Sequence, residues 1–425
     1  MSTKNVSLEE LEPIATSLLT VGESLPYDLY NSKGKFISAK DYIFKNEMEI
    51  SMVAHAKPMR LKSDSTELNT NSKLQAASSE EQNSGSSSKN YVTYGSGEKL
   101  SPTTTEYGFQ KSRLTEGRAE GDGAQAGVVH IIGSLVDQFP VLYDAFYEDP
   151  LKARELLNDI VKKIFTILNK DVDAAIGVIH ISEIQSQAEH CVFAATLAAI
   201  YARTIGYPDR FVKLVASAAI CMNLGAIKLH HELNSSDTEL SEGLLAEIRK
   251  HSEASVDLMA KAGIRHPTIN NAILHHHERP DGEGYPKGLH SQEIPDEALI
   301  IGIVDTYLAM IGPRAYRKKV QPKEALKQVL FEGHKYDNDF YTTFIKAIGV
   351  YPAGTFHELS NGEVVVVARR DPAHATKPLV CTITNDSGKS VNEFVIRKLS
   401  AGKLAIKAPH SGGRELHLNP KDIWK

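Results

Sequence analysis

The sequence predicts a mainly α-helical protein: a helical bundle flanked by a small N-terminal β-containing module and a C-terminal β-rich segment. Three observations carry this. Apolar residues recur at helical spacing through much of residues 140–350, with short connections between the helical stretches. Beyond residue 353 the period switches to short β-rich runs separated by turn residues. Between the N-terminal module and the bundle, 24 of the 43 residues from 63 to 105 are Ser, Thr, Asn or Gly. With 425 residues, 41% hydrophobic and 24% charged, the chain can bury a substantial core and divide into two or three domains.

The elements follow in order. Residues 1–61 form the N-terminal module, because LPYDLYNSKGKFISAKDYIF alternates apolar and polar residues around Asn31-Ser32-Lys33-Gly34, a hairpin pattern. Residues 62–126 read as a flexible linker, too poor in apolar residues to offset the entropy of ordering. The helical domain occupies residues 127–350. Asp149-Pro150 is a helix start, a capping residue before a proline at the first helical position, and Leu156, Leu157, Ile160, Val161, Ile164 and Leu168 continue at helical spacing. Further helices are expected at 181–205, 209–222, 241–262, 267–277, 296–310, 322–331 and 339–348. Residues 351–425 supply GEVVVVARR, PLVCTITN, EFVIRKL and KLAIKA, split by Asn361-Gly362, Asp386-Ser387-Gly388 and Ala401-Gly402, which read as a small sheet.

Composition excludes several classes. A net charge of −5 argues against a protein that works by gripping nucleic acid or an acidic membrane. Cys191, Cys221 and Cys381 are odd in number and far apart, so no disulfide framework or C-x-x-C metal site is expected. There is no run of about 18 apolar residues and no secretory leader pattern, so the expected location is the cytoplasm. Neither a G-x-x-x-x-G-K-[ST] nor a G-x-G-x-x-G phosphate loop is present.

The histidines are informative. Ten of the seventeen lie between residues 180 and 290. The densest stretch runs from His275-His276-His277-Glu278 into Arg279-Pro280-Asp281-Gly282-Glu283-Gly284-Tyr285-Pro286-Lys287-Gly288-Leu289, a helix end loaded with imidazoles that enters a Gly- and Pro-rich loop. Imidazoles on a rigid helix beside such a loop make a plausible ligand site. By spacing alone, a solvated helix terminus meeting the negative end of the helix dipole explains the run equally well.

The stretch His276-His277-Glu278-x-x-Asp281-Gly282-x-Gly284-Tyr285-Pro286-x-Gly288-Leu289 resembles the signature of the HD-GYP family, bacterial phosphodiesterases that hydrolyse cyclic di-GMP. The likeness continues through Ile294-Pro295, Asp305, and Arg314-Ala315-Tyr316-Arg317, and His190 and His251 fall where that family has metal-binding histidines. It covers about residues 150–350 and implies an HD-type helical bundle. By this resemblance the metal ligands are His190, His251, His276, His277 and Asp305, and the ligand-binding positions are Arg314, Arg317, Tyr285, Pro286, Asp281 and Gly284. Family members use two close metals and a bridging water to cleave a phosphodiester. A His-Asp pair supplies a ligand and the carboxylate bridge, and a following Lys assists at the phosphate.

Here the sequence departs from the family. The His-Asp-x-Gly-Lys stretch aligns without a gap to Met222-Asn223-Leu224-Gly225-Ala226. A thioether is a poor ligand for Fe, Mn or Mg, and a neutral amide cannot bridge two cations as a carboxylate does. Ser186 and Leu308 stand where some members have Glu and Asp. The first metal position keeps His190 and Asp305; the second keeps His251, His276 and His277, a set that suits a single metal. The expected cofactor is therefore one transition metal (Fe, Mn or Zn), or none.

The sequence thus favours a catalytically degenerate HD-GYP protein in bacterial cyclic di-GMP signalling. It would act as a nucleotide receptor or as an interaction module, with cyclic di-GMP and a GGDEF-type diguanylate cyclase or other signalling protein as partners. The alternatives are an active metal-dependent phosphodiesterase with a mononuclear site and a structural scaffold joining two modules. The His230-His231-Glu232 run, in an expected loop, reads as polar side chains facing solvent. Cys191 and His190 diverge by about 100° on a helix, which argues against a Cys–His nucleophile pair.

Overall fold

In the computed structural model the described residues are 10–15, 18–20, 22–30, 36–38, 40, 42–44, 50, 58–62, 112, 114 and 127–425, apart from 183, 185, 228–241, 313–319, 337, 338, 392, 411–417 and 425. The chain divides into two units, Met1–Asn90 and Tyr91–Lys425.

The first unit carries a small antiparallel sheet, β1 (Leu11–Pro13), β2 (Leu29–Tyr30), β3 (Phe36–Ser38) and β4 (Met59–Leu61), in the order β1-β4-β2-β3. β2 pairs with β3 as the predicted hairpin requires, Leu29 opposite Ser38; the turn itself lies outside the described residues. Its apolar cluster is Ile14, Leu19, Leu25, Tyr27, Leu29, Phe44 and Ile50.

The second unit is built on helices. The sequence reading missed α1 (Val128–Glu148), whose Val128, Ile131, Ile132, Leu135, Val136, Phe139, Leu142, Tyr143 and Phe146 form a buried stripe that runs past Pro140. Within the stretch read as linker, Ser112 is buried and its N–H donates to Asp137 of α1 (2.6 Å). Asp149 caps α2 (Pro150–Lys170) by accepting the Lys152 N–H, with Pro150 at the first helical position as predicted. Asp171 caps α3 (Val172–Ile181) in the same way.

The helix expected over 181–205 is two elements. α4 (Gln187–Ile205) starts afresh at Ser186, which accepts the Glu189 N–H while Glu189 accepts the Ser186 N–H. α4 is apolar on nearly every face and is the central helix, packed by α1, α5 (Asp209–Cys221), α9 (Asp296–Ile311) and α11 (Asp339–Ile348). The helix expected over 241–262 also breaks, at Lys250, into α6 (Glu242–Arg249) and α7 (His251–Lys261). α8 (Pro267–His275) and α10 (Pro322–Tyr336) complete the bundle.

The C-terminal strands form an antiparallel sheet, β5 (Phe356–Leu359), β6 (Val364–Arg369), β7 (Leu379–Thr384), β8 (Ile396–Lys398) and β9 (Ile406–Pro409), in the order β8-β7-β6-β5-β9. β5, FHEL, was too weakly alternating to be anticipated. The sheet is docked on α3. Trp424, after α12 (Pro420–Ile423), lies against Gly177, where a Cβ would meet the indole at 2.2 Å, and its Nε1–H donates to the Ala368 carbonyl. Arg369 donates two hydrogen bonds to Asp171 (3.0 and 2.6 Å), and Arg370 pairs with Asp173. The sheet thereby fixes α3, one helix away from α4 and its buried histidine.

Candidate functional site

Three imidazoles converge where α7, the end of α8 and the following loop meet. His251 opens α7, and His276 and His277 follow α8. Their ring nitrogens lie within 4.8 Å of one another, and His251 and His276 are buried. The backbone orients two of them identically. His251 Nδ1–H donates to the Ile248 carbonyl and His276 Nδ1–H to that of Ile273, each at 2.6 Å. Two acceptors do not approach that closely, so both Nδ1 atoms carry the proton and both Nε2 atoms present lone pairs.

These lone pairs face each other, with His251 Nε2 3.4 Å from His276 Nε2. Two neutral Nε2 acceptors at that separation have no proton to share. A tetrahedral ion with nitrogen ligands at about 2.0–2.1 Å sets its ligands roughly 3.3 Å apart, so the spacing fits a cation between them. Burial, together with the neighbouring His277, pushes the His276 imidazole down to about 3, which keeps it a neutral donor at physiological pH. The second unit's tight packing holds this arrangement: Gly302 of α9 lies against His276, where a Cβ would meet the His276 carbonyl at 2.4 Å.

Asp305 is one turn beyond Gly302, and His190 Nε2 is 2.8 Å from its Oδ1. Burial alone would raise the Asp305 carboxyl. The hydrogen bond to His190 and the electrostatic pull of the neighbouring imidazoles, His190 first, outweigh it and hold the carboxyl well below the usual carboxylate range. Cys191 is buried, and burial with the Asp305 charge pushes its thiol up, which removes it as a nucleophile.

The positions that depart from the family signature are occupied by packing residues. Met222, Ala226 and Leu308 are buried among apolar side chains, and Ser186 is the cap of α4. Asn223, like Ser186, is a half-buried polar residue; it stands at the turn after α5. The turn is fastened to His251's helix: Ser255 Oγ donates to the Met222 carbonyl and accepts the Gly225 N–H. Gly225 is there for space, since a Cβ would meet the His251 carbonyl at 2.5 Å.

The loop after His277 is organised by a residue the sequence reading did not single out. The buried Glu278 carboxylate accepts the N–H of Lys287 (2.7 Å) and of Leu289 (2.9 Å). Gly284 packs against the backbone of 277–279 with no room for a Cβ (2.3 Å to Arg279 N). Asp281 accepts the Glu283 N–H and faces Arg279, so it shapes the loop. Tyr285 stacks on His277 with centroids 4.6 Å apart, while Pro286 is exposed at the tip. The structure therefore brings together His251, His276, His277 and Tyr285, with the His190–Asp305 pair nearby. Arg314, Arg317, His230 and His231 lie outside the described residues. The helical 3.6-residue reading had no means of finding Glu278, whose partners are nine and eleven residues ahead in a loop.

The HD domain family matches residues 175–340. Over 192 residues the chain is 27% identical to the cyclic di-GMP phosphodiesterase PA4108 of Pseudomonas aeruginosa, covering 45% of this chain and 46% of that protein. It is 25% identical over 205 residues to the cyclic di-GMP phosphodiesterase PdeB of Borreliella burgdorferi, covering 48% of this chain and 54% of that one. The chain thus spans about half the length of these curated relatives. Among solved structures, Bd1817, an HDG"Y"P protein from Bdellovibrio bacteriovorus, overlaps 77% of this chain and 98% of its own, with a TM-score of 0.39 and 17% identity. Among the described residues no helix is long and apolar enough to cross a membrane.

Proposed function

We propose that this HD-GYP-like protein, with its HD domain over residues 175–340, holds one metal ion on His251, His276 and His277 and binds a cyclic dinucleotide without turning it over. The observation that carries this reading is the contrast between two half-sites. Three imidazoles converge with one ring nitrogen of each within 4.8 Å of the others, while Met222, Ala226 and Leu308 have joined the apolar core.

When bound, the metal supplies positive charge for a phosphodiester oxygen. Every other part is played by this chain. The Ile248 and Ile273 carbonyls fix the ring orientations of His251 and His276 through their Nδ1 atoms. Glu278 shapes the loop that stacks Tyr285 on His277. Asn223 offers no negative charge to bridge a second cation, and Ala226 offers none of the positive charge a Lys would bring to the phosphate. Losing one such electrostatic contribution typically lowers a rate by about 10²–10³. Losing the bridge, a ligand and the Lys together favours retention of binding without turnover.

In this reading cyclic di-GMP, the substrate named for the relatives, is the ligand, and Arg314 and Arg317 contact its phosphates. The exposed Pro286 tip offers a surface to a signalling partner such as a diguanylate cyclase. The test is equilibrium binding of cyclic di-GMP to the untagged, metal-loaded protein, with product measured in the same samples. The reading predicts binding on the order of micromolar or tighter, weakened by Arg314→Ala with Arg317→Ala, and no linear product. Metal-dependent product formation that His277→Ala abolishes would establish an active mononuclear phosphodiesterase instead.

A further inference from the structure

Arg249 ends α6, two residues before His251, and its guanidinium lies over the Tyr285 ring with Cζ 5.6 Å from the centroid. Tyr285 is in turn stacked on His277. Arg249 and His277 thus both lie against the Tyr285 ring, which links the guanidinium to the three-histidine centre. The backbone makes the placement rigid at its base. The carbonyl of Ile248, the residue before Arg249, accepts the His251 Nδ1–H, so the segment that aims His251 inward also carries Arg249.

The side chain is exposed and forms no ion pair with a carboxylate among the described residues, although Glu247 and Glu253 are close in sequence. The contrast with Arg279 is instructive. That arginine follows the histidines directly, but it is engaged with Asp281 and Glu332. An exposed arginine without a carboxylate partner has its full fork of donors available to an anion. Stacking on Tyr285 limits the rotamer freedom that an anion would otherwise have to take from it.

We propose that Arg249 is a phosphate-binding residue of the three-histidine centre, held by Tyr285 so that its guanidinium contacts a non-bridging oxygen of a nucleotide phosphodiester. The proposal rests on the reading of the histidine centre given above. It adds to that reading a cation from the opposite side of the sequence to Arg314 and Arg317. Arginine suits the role because its planar fork binds two phosphate oxygens at once, which a lysine at the same place cannot do.

The test uses the full-length, untagged protein loaded with Mn²⁺. Binding of cyclic di-GMP and of inorganic phosphate is measured by calorimetry for wild type, Arg249→Ala and Arg249→Lys, with metal content determined on each. The expected result is unchanged metal content in all three and cyclic di-GMP affinity about tenfold or more lower in Arg249→Ala, partly recovered in Arg249→Lys. A parallel loss of inorganic phosphate binding marks the contact as one to phosphate itself; loss for the dinucleotide alone marks it as one to the phosphodiester in its nucleotide setting. Unchanged dinucleotide affinity in Arg249→Ala at unchanged metal content would overturn the proposal and leave the histidine centre standing. A wild-type protein that holds no metal would instead overturn the reading beneath it.

Discussion

Glu278 gives a demanding test of how the loop beside the histidines is held. Its carboxylate is fully buried and accepts two backbone N–H groups, Lys287 at 2.7 Å and Leu289 at 2.9 Å, closing the loop over 278–289. Hydrogen bonds to a charged group contribute about 1.5–3 kcal/mol each. Glu278→Ala removes both acceptors, and the exposed Lys287 lets water reach part of the loop, so the lower end applies and the expected loss is roughly 3 kcal/mol. Glu278→Gln keeps an acceptor oxygen but loses the charge, and about half that loss is expected. Urea unfolding reads both values. Amide hydrogen exchange locates them, because protection at Lys287 and Leu289 should fall in the Ala variant while protection in α2 does not. A Glu278→Ala protein with wild-type stability and protected amides at 287 and 289 would refute the assignment of Glu278 as the residue that shapes this loop.

Three further outcomes follow from the same geometry. Gly177→Ala places a Cβ where the indole of Trp424 lies at 2.2 Å; helix propensity favours Ala by about 1 kcal/mol, but overpacking costs roughly 1–3 kcal/mol. The change should therefore destabilise and shift the emission of Trp424, the only tryptophan, to the red. Burial lowers His180 to about 4, and burial with the Lys323 charge lowers His357 to about 4. The unfolded chain protonates both near 6.5, so it binds more protons than the fold between about 6.5 and 4, and stability falls as pH falls through that window, by up to about 1.4 kcal/mol per pH unit for each. Urea unfolding between pH 7.5 and 5 should show that slope, and His357→Gln should flatten it. Arg369→Ala breaks a two-bond contact to Asp171 that is partly exposed, so a loss of about 1 kcal/mol that shrinks at high salt is expected from thermal unfolding.

Much of the architecture was legible in the sequence because its signals were local. The Asp149-Pro150 start, the apolar spacing of α2 and the β-rich runs after residue 353 depend on residues that are neighbours in the chain. The misses have equally local causes. α1 carries Pro140 in its interior, where a proline removes a backbone donor, yet the helix runs through it on its apolar stripe. The Ser186 capping box interrupts what looked like one helix from 181, and the turn at Lys250 splits another. For the site, the His276-His277 pair and Tyr285 were visible in one motif and His251 through the family resemblance, and in the structure the three histidines lie together. Invisible in advance were the contacts that give those residues their roles: the Nδ1 bonds to Ile248 and Ile273, the Glu278 acceptor and the Arg249–Tyr285 stack. Each joins the centre to backbone or side chains whose position only the fold determines.

In the proposed function the histidine centre keeps one metal position and has lost the other. The direct measurement is the metal-to-chain ratio, by elemental analysis, of untagged protein after loading with Fe, Mn or Zn and removal of loosely bound ion, with His276→Ala as the paired variant. One metal per chain, lost in His276→Ala, is expected, because the 3.4 Å spacing of two buried imidazoles fits a cation between them and the apolar positions of Met222, Ala226 and Leu308 offer no second set of ligands. Two metals per chain in the wild type would contradict it, and would mean that His190 and Asp305 recruit ligands from elsewhere to complete the first position.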